Sequence, residues 1–111
     1  MGVNKTVLSE AEDLVGGDRL KEYGPPHDNF KRIAGMWSAY LGIEVTPIDV
    51  AALMICLKQA RIRTGGAYHH DSVIDTCGYA RLQEILADPQ YAGFGISTNE
   101  NVPPGTIVVA E

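Results

Sequence analysis

The sequence predicts an all-α fold: a four-helix bundle-like domain over residues 1–88 with a central buried helical hairpin, then an irregular, extended C-terminal arm over residues 89–111. Three observations predict this fold. Residues 5–15 and 30–41 repeat apolar residues at spacings of three and four, the pattern of one helix face, and residues 50–57 are apolar throughout. Residues 46–49 are Thr-Pro-Ile-Asp, the clearest helix start in the chain. The one β-like run is short and lies at residues 106–109.

Length and charge restrict the class of protein. At 111 residues, with 45% apolar and 21% charged residues, the chain has the size and composition of one globular domain. Its net charge of −5 argues against a protein that coats DNA or RNA, because such proteins need a basic surface to displace counterions. A local basic pocket is still compatible with this charge.

The cysteines and the N-terminus predict the compartment. Cys56 and Cys77 have no metal-binding spacing and fall within candidate helices, so we expect buried free thiols in a reducing compartment. Residues 1–14 lack the apolar segment of a signal peptide, and no run approaches 18 apolar residues. We therefore expect a soluble, cytoplasmic protein that does not enter a membrane.

The N-terminal quarter predicts one helix and a shorter helical turn. Residues 5–15 form an amphipathic pattern that the double glycine at 16–17 ends, although a capping box of Ser9 and Glu12 would start the helix later. Residues 18–22 can add one more helical turn before the Tyr-Gly-Pro-Pro sequence, which predicts a tight turn.

The next helix is expected to start near Pro26 to Asp28 and to end at Gly42. Its apolar face is formed by Phe30, Ile33, Ala34, Trp37 and Leu41. Gly35, in the middle, is interpreted as a contact point where another helix approaches closely, since glycine otherwise weakens a helix. Trp37 and Tyr40 are expected to pack against the core.

Residues 46–86 contain the predicted central hairpin. Every residue from 50 to 57 is apolar, so its first helix is expected to be buried on nearly all sides, at the centre of the bundle or in an oligomer interface. Lys58 and Arg61 follow near the end of this helix, and a glycine-containing turn leads to the second helix over residues 71–87. We therefore expect a homo-oligomer.

The C-terminal arm over residues 89–111 is rich in glycine, proline and asparagine, so it cannot form a helix of useful length. We expect this arm to be mobile or to lie along a neighbouring subunit.

Lys58 and Arg61 lie three positions apart on one helix, so their side chains can converge. In one interpretation both extend from the core to solvent at a helix end, where positive charge suits the helix dipole. In the other they bind a phosphate or a carboxylate, for which arginine supplies a planar fork and lysine a mobile point charge.

Asp71 and Asp75 are four positions apart, which places both carboxylates on one helix face. They could share a magnesium ion together with phosphate oxygens and water. Alternatively, Asp71 caps the helix while Asp75 pairs with Lys58 or Arg61 across the hairpin.

Histidines and a polar turn provide the remaining candidates. His69 and His70 precede the last helix, and one of them could contact a ligand or shuttle a proton; a metal site of the HD-hydrolase type would need more histidines than His27 supplies. Tyr23 could stack on a base, or simply cover the end of the bundle, and Asn29 could recognise a base edge or orient a carboxylate. The sequence contains no Gly-rich phosphate loop, nucleophile elbow or zinc spacing.

Three blocks of residues carry a resemblance to a family. They are Arg19, Tyr23-Gly24, Asn29-Phe30, Ile33-Ala34 and Trp37-Ser38-Ala39-Tyr40-Leu41-Gly42; Asp49-Val50-Ala51, Leu53-Met54, Leu57-Lys58 and Ala60-Arg61; and His70-Asp71-Ser72, Asp75 and Gly78-Tyr79-Ala80. Over roughly residues 10–87 the chain resembles small uncharacterised proteins of bacteriophages and prophages. This resemblance implies a phage-type protein in the host cytoplasm and does not imply an activity.

The helical hairpin is also similar, more distantly, to the MazG-like all-α nucleoside triphosphate pyrophosphohydrolases. In that group acidic residues on two adjacent helices hold magnesium against the phosphates of a nucleotide, which implies magnesium at Asp71, Asp75 and Asp49 here. The first acidic motif of that group has several glutamates on one helix, whereas this chain offers only Asp49 before an apolar run.

The sequence therefore predicts a small phage-type protein that binds a phosphorylated small molecule, a nucleotide, in a polar pocket at the end of the helical hairpin. The expected ligand contacts are Lys58, Arg61, His70, Tyr79, Tyr23 and Asn29. The expected magnesium ligands, if magnesium takes part, are Asp71, Asp75 and Asp49. The alternatives are a magnesium-dependent MazG-like pyrophosphohydrolase and a non-catalytic structural or adaptor protein.

Overall fold

The computed structural model describes residues 5–64 and 66–96, and these contain five α-helices and no strand. The elements are α1 (Val7–Gly16), α2 (Asp18–Tyr23), α3 (Pro26–Leu41), α4 (Pro47–Arg63), α5 (His70–Ala87) and a 3₁₀ turn over Pro89–Tyr91. The predicted all-α fold is confirmed. The additional helical turn expected after the double glycine is α2.

The α4–α5 hairpin is the centre of the fold, as the sequence predicts. Helix α5 packs against both α4 and α1, α3 packs mainly against α4, and α2 contacts α1 and α3. The buried core consists of Val15, Phe30, Ala34, Val45, Val50, Ala51, Tyr79, Leu82 and Ile85. Because α5 contributes the large side chains Leu82 and Ile85, which are almost fully buried, it is the helix around which the others pack.

Helix α4 exposes one of its faces, so the expectation that it is buried on nearly all sides is wrong for the single chain. Only Val50 and Ala51 are buried in α4, whereas Leu53 and Leu57 are 47% and 52% exposed. Within the described ranges α4 packs against α3 and α5, and two neighbours do not surround a helix. An entirely apolar run carries no polar residue to mark which face remains uncovered.

Two smaller burial expectations are also wrong. Cys56 is exposed on the open face of α4, although it and the partly buried Cys77 are both free thiols, as expected. Tyr40 is 90% exposed, because α3 packs mainly against α4 and its other faces stay open. Trp37 packs against the core, as predicted.

Gly35 is not a helix contact point in the described chain, contrary to expectation. A Cβ atom placed on it would meet no heavy atom within 4 Å. The residue therefore weakens α3 without allowing any close approach that the structure shows.

Gly35→Ala is expected to raise the free energy of unfolding by about 0.5–1 kcal/mol, because alanine loses less backbone entropy than glycine within a helix. Urea denaturation followed by circular dichroism measures this gain. The matched control is Gly42→Ala, which should lower stability because Gly42 ends α3 in the left-handed region, at a φ of 72°. A loss of stability in Gly35→Ala would show that another surface approaches Gly35.

Helices α1 and α4 begin at threonine caps. The Thr6 hydroxyl accepts a hydrogen bond from the Ser9 N–H at 3.2 Å, so α1 starts before the alternative capping box at Ser9. In α4 the predicted start is confirmed: Thr46 Oγ1 accepts from the Asp49 N–H at 3.1 Å, and Asp49 Oδ2 accepts from the Thr46 N–H at 2.9 Å.

The α4 capping box predicts a pH dependence. The hydrogen bond from the Thr46 backbone lowers the pKa of the Asp49 carboxyl below its usual value, so its contribution to stability is complete above the unfolded-state pKa. This contribution is lost as the pH falls through the folded-state pKa. Asp49→Asn should therefore flatten the acid side of the curve of melting temperature against pH, at pH values around and below the ordinary carboxyl pKa of 3.8. Identical curves for the two proteins would contradict this account.

The first part of the predicted C-terminal arm lies against the helices. Tyr91 and Phe94 pack on the core, and the Arg81 guanidinium lies 4.7 Å from the centre of the Tyr91 ring. Residues 97–111, with the predicted β-like run, lie outside the described residues. The division of the chain at residue 88 therefore stays a prediction. Within the described part, no helix combines the length and the apolar character needed to cross a lipid bilayer.

Candidate functional site

A half-enclosed hollow of about 330 Å³ lies among α2, α3, α4 and α5. Its polar lining residues are Arg19, Tyr23, Asn29, Lys58 and Tyr79, and its apolar lining residues are Phe30, Ile33, Trp37, Val50 and Met54. The volume lies at the lower end of the range for small-molecule sites. We call it the cationic hollow, because both of its charged lining residues are basic.

The short helix α2 places Arg19 and Tyr23 at the hollow. The two residues are four positions apart, so they lie on the same face of α2. The helix ends at Gly24, whose φ of 76° is unfavourable for a residue with a side chain, and the chain turns there into α3. The glycine therefore fixes the turn that places Tyr23 beside the first residues of α3.

Arg19 is positioned by aromatic rings. Its guanidinium carbon lies 4.8 Å from the centre of the Tyr79 ring and 5.6 Å from that of Tyr23, within the range of cation–π attraction. One of its terminal nitrogens donates to the Tyr79 hydroxyl at 3.5 Å. Tyr79 is itself buried, with Phe30 packed edge-on at 6.4 Å. Among residues 5–64 and 66–96, Arg19 forms no ion pair with a carboxylate.

Lys58 enters the hollow from α4 and is paired across the hairpin. Its Nζ lies 2.9 Å from Oδ2 of Asp75 on α5, and the two side chains are 14% and 27% exposed. This geometry is the cross-hairpin pairing that the sequence left open as an alternative for Asp75. The pair stabilises the position of the ammonium group, and Lys58 is one of the residues that line the hollow.

Four of the six predicted ligand contacts line one hollow: Lys58, Tyr79, Tyr23 and Asn29. Tyr23 is 48% exposed, so it lies at the rim rather than inside the core. The polar turn before α3 and the charged end of the hairpin, which the sequence treats as separate features, are therefore parts of one site.

Three of the other predicted site residues lie elsewhere. Arg61 is exposed and does not line the hollow, so it does not converge there with Lys58. Asp71 is exposed in the first turn of α5 and does not cap that helix. Asp49 belongs to the capping box at the start of α4, nine residues or about 13 Å along the helix from Lys58.

His70 contacts α1 instead of the hollow. Its Nε2 lies 2.9 Å from a carboxylate oxygen of Glu10, and its Nδ1 lies 3.0 Å from the Tyr68 hydroxyl. The neighbouring His69 lies 3.2 Å from the carbonyl oxygen of Thr64, in the turn between α4 and α5. Both histidines therefore stabilise the hairpin turn and its contact with α1.

The carboxylates of the described residues do not form a metal site of their own. In the part of the chain that the structure describes, no three histidine, cysteine, aspartate or glutamate side chains lie close enough together to hold an ion. Asp75 is paired with Lys58, and Asp71 and Asp49 lie on separate surfaces. These residues do not fit a cluster of the MazG type.

Arg19 is the residue of the hollow that sequence reasoning missed. It appears in the first resemblance block without an assigned role, because α2 is short and most of its residues are charged. The spacing of Arg19 and Tyr23 was the available signal, since residues four apart on a helix share a face.

Comparison with known protein families assigns the chain. Residues 6–87 match the family described as a domain of unknown function, DUF6378. The chain belongs to this family. The matched range contains every residue of the cationic hollow and excludes the whole of the predicted arm.

The DUF6378 chain is similar to proteins of two mycobacteriophages. It is 44% identical over 86 residues to the Gene 55 protein of Mycobacterium phage L5, which covers 77% of this chain and 54% of that protein. It is 44% identical over 91 residues to the Gene 55 protein of Mycobacterium phage D29, covering 82% and 60%. The chain thus spans little more than half the length of these relatives. The resemblance to phage proteins is confirmed, whereas neither the family description nor these names point to MazG-like enzymes.

No solved structure is significantly similar to the chain.

Proposed function

We propose that this phage-type protein binds a small phosphorylated molecule, a nucleotide, in the cationic hollow. The observation that supports this proposal most is the placement of Arg19 and Lys58 beside aromatic rings in one hollow of about 330 Å³. Cations recognise phosphate, and aromatic faces accept a base by stacking.

The lining residues divide naturally between the two ends of a nucleotide. Lys58 supplies a point charge and Arg19 a planar fork for phosphate oxygens. Tyr23 at the rim and Trp37 on the wall offer faces for a base, and Asn29 offers an amide for its polar edge. Arg61 and His70 lie outside the hollow, so Arg19 takes the phosphate role that the sequence assigned to Arg61.

In this proposal magnesium enters the site only when it is bound to the phosphate of the ligand, and not through a carboxylate cluster of the protein. Asp75 orients Lys58, and among the described residues Asp71 does not belong to a group of three possible metal ligands. A magnesium-dependent pyrophosphohydrolase would need more carboxylates at the phosphates than the described residues place there. In a purely structural role the Lys58–Asp75 pair would fix the register of the hairpin. That role does not explain why two tyrosine rings lie against Arg19 at the hollow.

The open face of α4 supports a homo-oligomer. Leu53, Cys56 and Leu57 share this face at spacings of three and four, and residues 50–57 carry no charge. In a two-fold dimer the same patch meets itself, and an uncharged patch avoids the like-charge repulsion expected on a chain of net charge −5. The proposed location is the cytoplasm of the host cell.

Isothermal titration calorimetry of the wild-type protein with nucleoside phosphates tests the binding proposal. We expect dissociation constants between about 1 μM and 1 mM for at least one nucleotide, with the nucleoside alone binding more weakly. A ligand at 100 times its dissociation constant should also raise the unfolding free energy by about 2.7 kcal/mol, which a thermal shift detects. Equal affinity for nucleoside and nucleotide would contradict a phosphate site at Arg19 and Lys58.

A further inference from the structure

Resting on the proposed function, we infer that the cationic hollow selects a nucleoside phosphodiester, a cyclic nucleoside monophosphate, over mono-, di- and triphosphate esters. Three features of the hollow carry this inference: its formal charge, its degree of burial and the geometry of Arg19.

The first feature is a formal charge of +1. Among the residues that line the hollow, Arg19 and Lys58 are the charged ones and both are positive. Asp75, which pairs with Lys58 at 2.9 Å, cancels one of these charges. Two positive charges and one negative charge leave a single positive charge for a ligand.

The second feature is the shielding of this charge from water. The Lys58 side chain is 14% exposed, and Tyr79, beneath the Arg19 guanidinium, is 8% exposed. An anion placed there loses part of its hydration, so any charge in excess of the site's own is costly. A phosphodiester carries about one negative charge, whereas a phosphate monoester carries about 1.5 to 2 at neutral pH.

Nucleoside di- and triphosphates would require a metal ion to neutralise their additional charge, and the described residues do not provide a site for one. Enzymes of triphosphates neutralise the additional charge with magnesium held by carboxylates. Within residues 5–64 and 66–96, no group of three candidate metal-binding side chains exists. The hollow is therefore suited to a ligand of low charge, and its volume of about 330 Å³ suits a single nucleotide.

The third feature is the geometry of Arg19. The rings of Tyr79 and Tyr23 lie 4.8 and 5.6 Å from its guanidinium carbon, so its planar group is restrained without a carboxylate partner among the described residues. A restrained guanidinium can donate two parallel hydrogen bonds to the two free oxygens of a phosphodiester.

Asp75 then determines charge selectivity without touching the ligand. It is a positioning residue, because it acts through Lys58. Replacing it with asparagine raises the formal charge of the hollow from +1 to +2. The preferred ligand should then change from the diester to the monoester.

The test is calorimetric titration with compounds that differ only at phosphate: adenosine, 3′,5′-cyclic AMP, 5′-AMP, ADP and ATP, with and without magnesium, repeated with the other three bases. In the wild-type protein the cyclic nucleotide should bind best for the preferred base, by at least about threefold over the monoester. In Asp75→Asn the monoester should bind at least as tightly as the cyclic nucleotide. The control Asp75→Glu keeps the charge and should keep the wild-type order.

Tightest binding of ATP by the wild-type protein, or an unchanged ligand order in folded Asp75→Asn, would overturn this inference and leave the proposed nucleotide site intact. Absence of binding by every compound would overturn both. A circular dichroism melt of each variant establishes that it is folded before its ligand order is compared.

Discussion

Lys58→Gln is expected to weaken nucleotide binding about 10- to 100-fold, because it removes a charge-assisted hydrogen bond to phosphate worth about 1.5–3 kcal/mol. Lys58 lines the cationic hollow with its side chain 14% exposed, so water screens its charge only in part. Glutamine retains most of the length of the side chain and a hydrogen-bond donor. Calorimetry with 5′-AMP and 3′,5′-cyclic AMP measures the loss.

Arg61→Gln is the matched control for this loss. Arg61 lies three residues further along α4, is also basic, and is exposed outside the hollow. Its replacement should change the affinity by less than about twofold, since it removes only a screened, distant charge. Equal losses in Lys58→Gln and Arg61→Gln would mean that the ligand lies along the end of α4 and not in the hollow.

Ile85→Ala is expected to lower the free energy of unfolding by about 2–4 kcal/mol, because it removes buried methylene groups and leaves a cavity in the core. Ile85 is 0% exposed in α5, the helix that contacts α1, α3 and α4. A loss of this size should lower the melting temperature by roughly 10–20 °C for a domain of this length. Thermal and urea denaturation measure it.

The comparison for Ile85→Ala is Leu53→Ala on the open face of α4. Leu53 is 47% exposed, so the same kind of truncation should cost less than about 1 kcal/mol in a single chain. If the open face of α4 is an oligomer interface, the cost of Leu53→Ala will instead grow with protein concentration, because folding and association are then linked. Similar losses at both positions in dilute monomer would contradict α5 as the centre of the fold.

Local sequence signals predicted the helices well. The capping box at Thr46 and the glycine at the end of α3 are determined by residues a few positions apart, and both are found where expected. The start of α1 was less clear, because Ser9 with Glu12 also fits a capping box, whereas in the structure the Thr6 hydroxyl accepts from the Ser9 N–H.

The burial of α4 could not be predicted in the same way. Its residues 50–57 are all apolar, so no periodicity indicates which face meets α3 and α5. Leu53 and Val50 look equivalent in the sequence, yet one is 47% and the other 1% exposed. Only the positions of α3 and α5 around α4 distinguish them.

The site was only partly predicted, because its residues come from distant parts of the chain. Lys58 and Tyr79 were selected as polar groups of the hairpin, and their proximity follows from antiparallel helix packing. Arg19 needed the three-dimensional contact between α2 and α3 to reach the same hollow, and no local pattern encodes that contact. Arg61 shares a helix with Lys58, but its own direction on that helix takes it outside the hollow.

Amide and side-chain chemical-shift mapping of isotope-labelled protein during titration with 3′,5′-cyclic AMP tests the central claim most directly. The expected result is that saturable shifts concentrate at Arg19, Tyr23, Asn29, Lys58 and Tyr79, which come from four different helices and meet only at the hollow. Shifts that instead concentrate at Arg61, His70 and Asp71, or that never saturate, would contradict the claim that Arg19 and Lys58 form one phosphate-binding site.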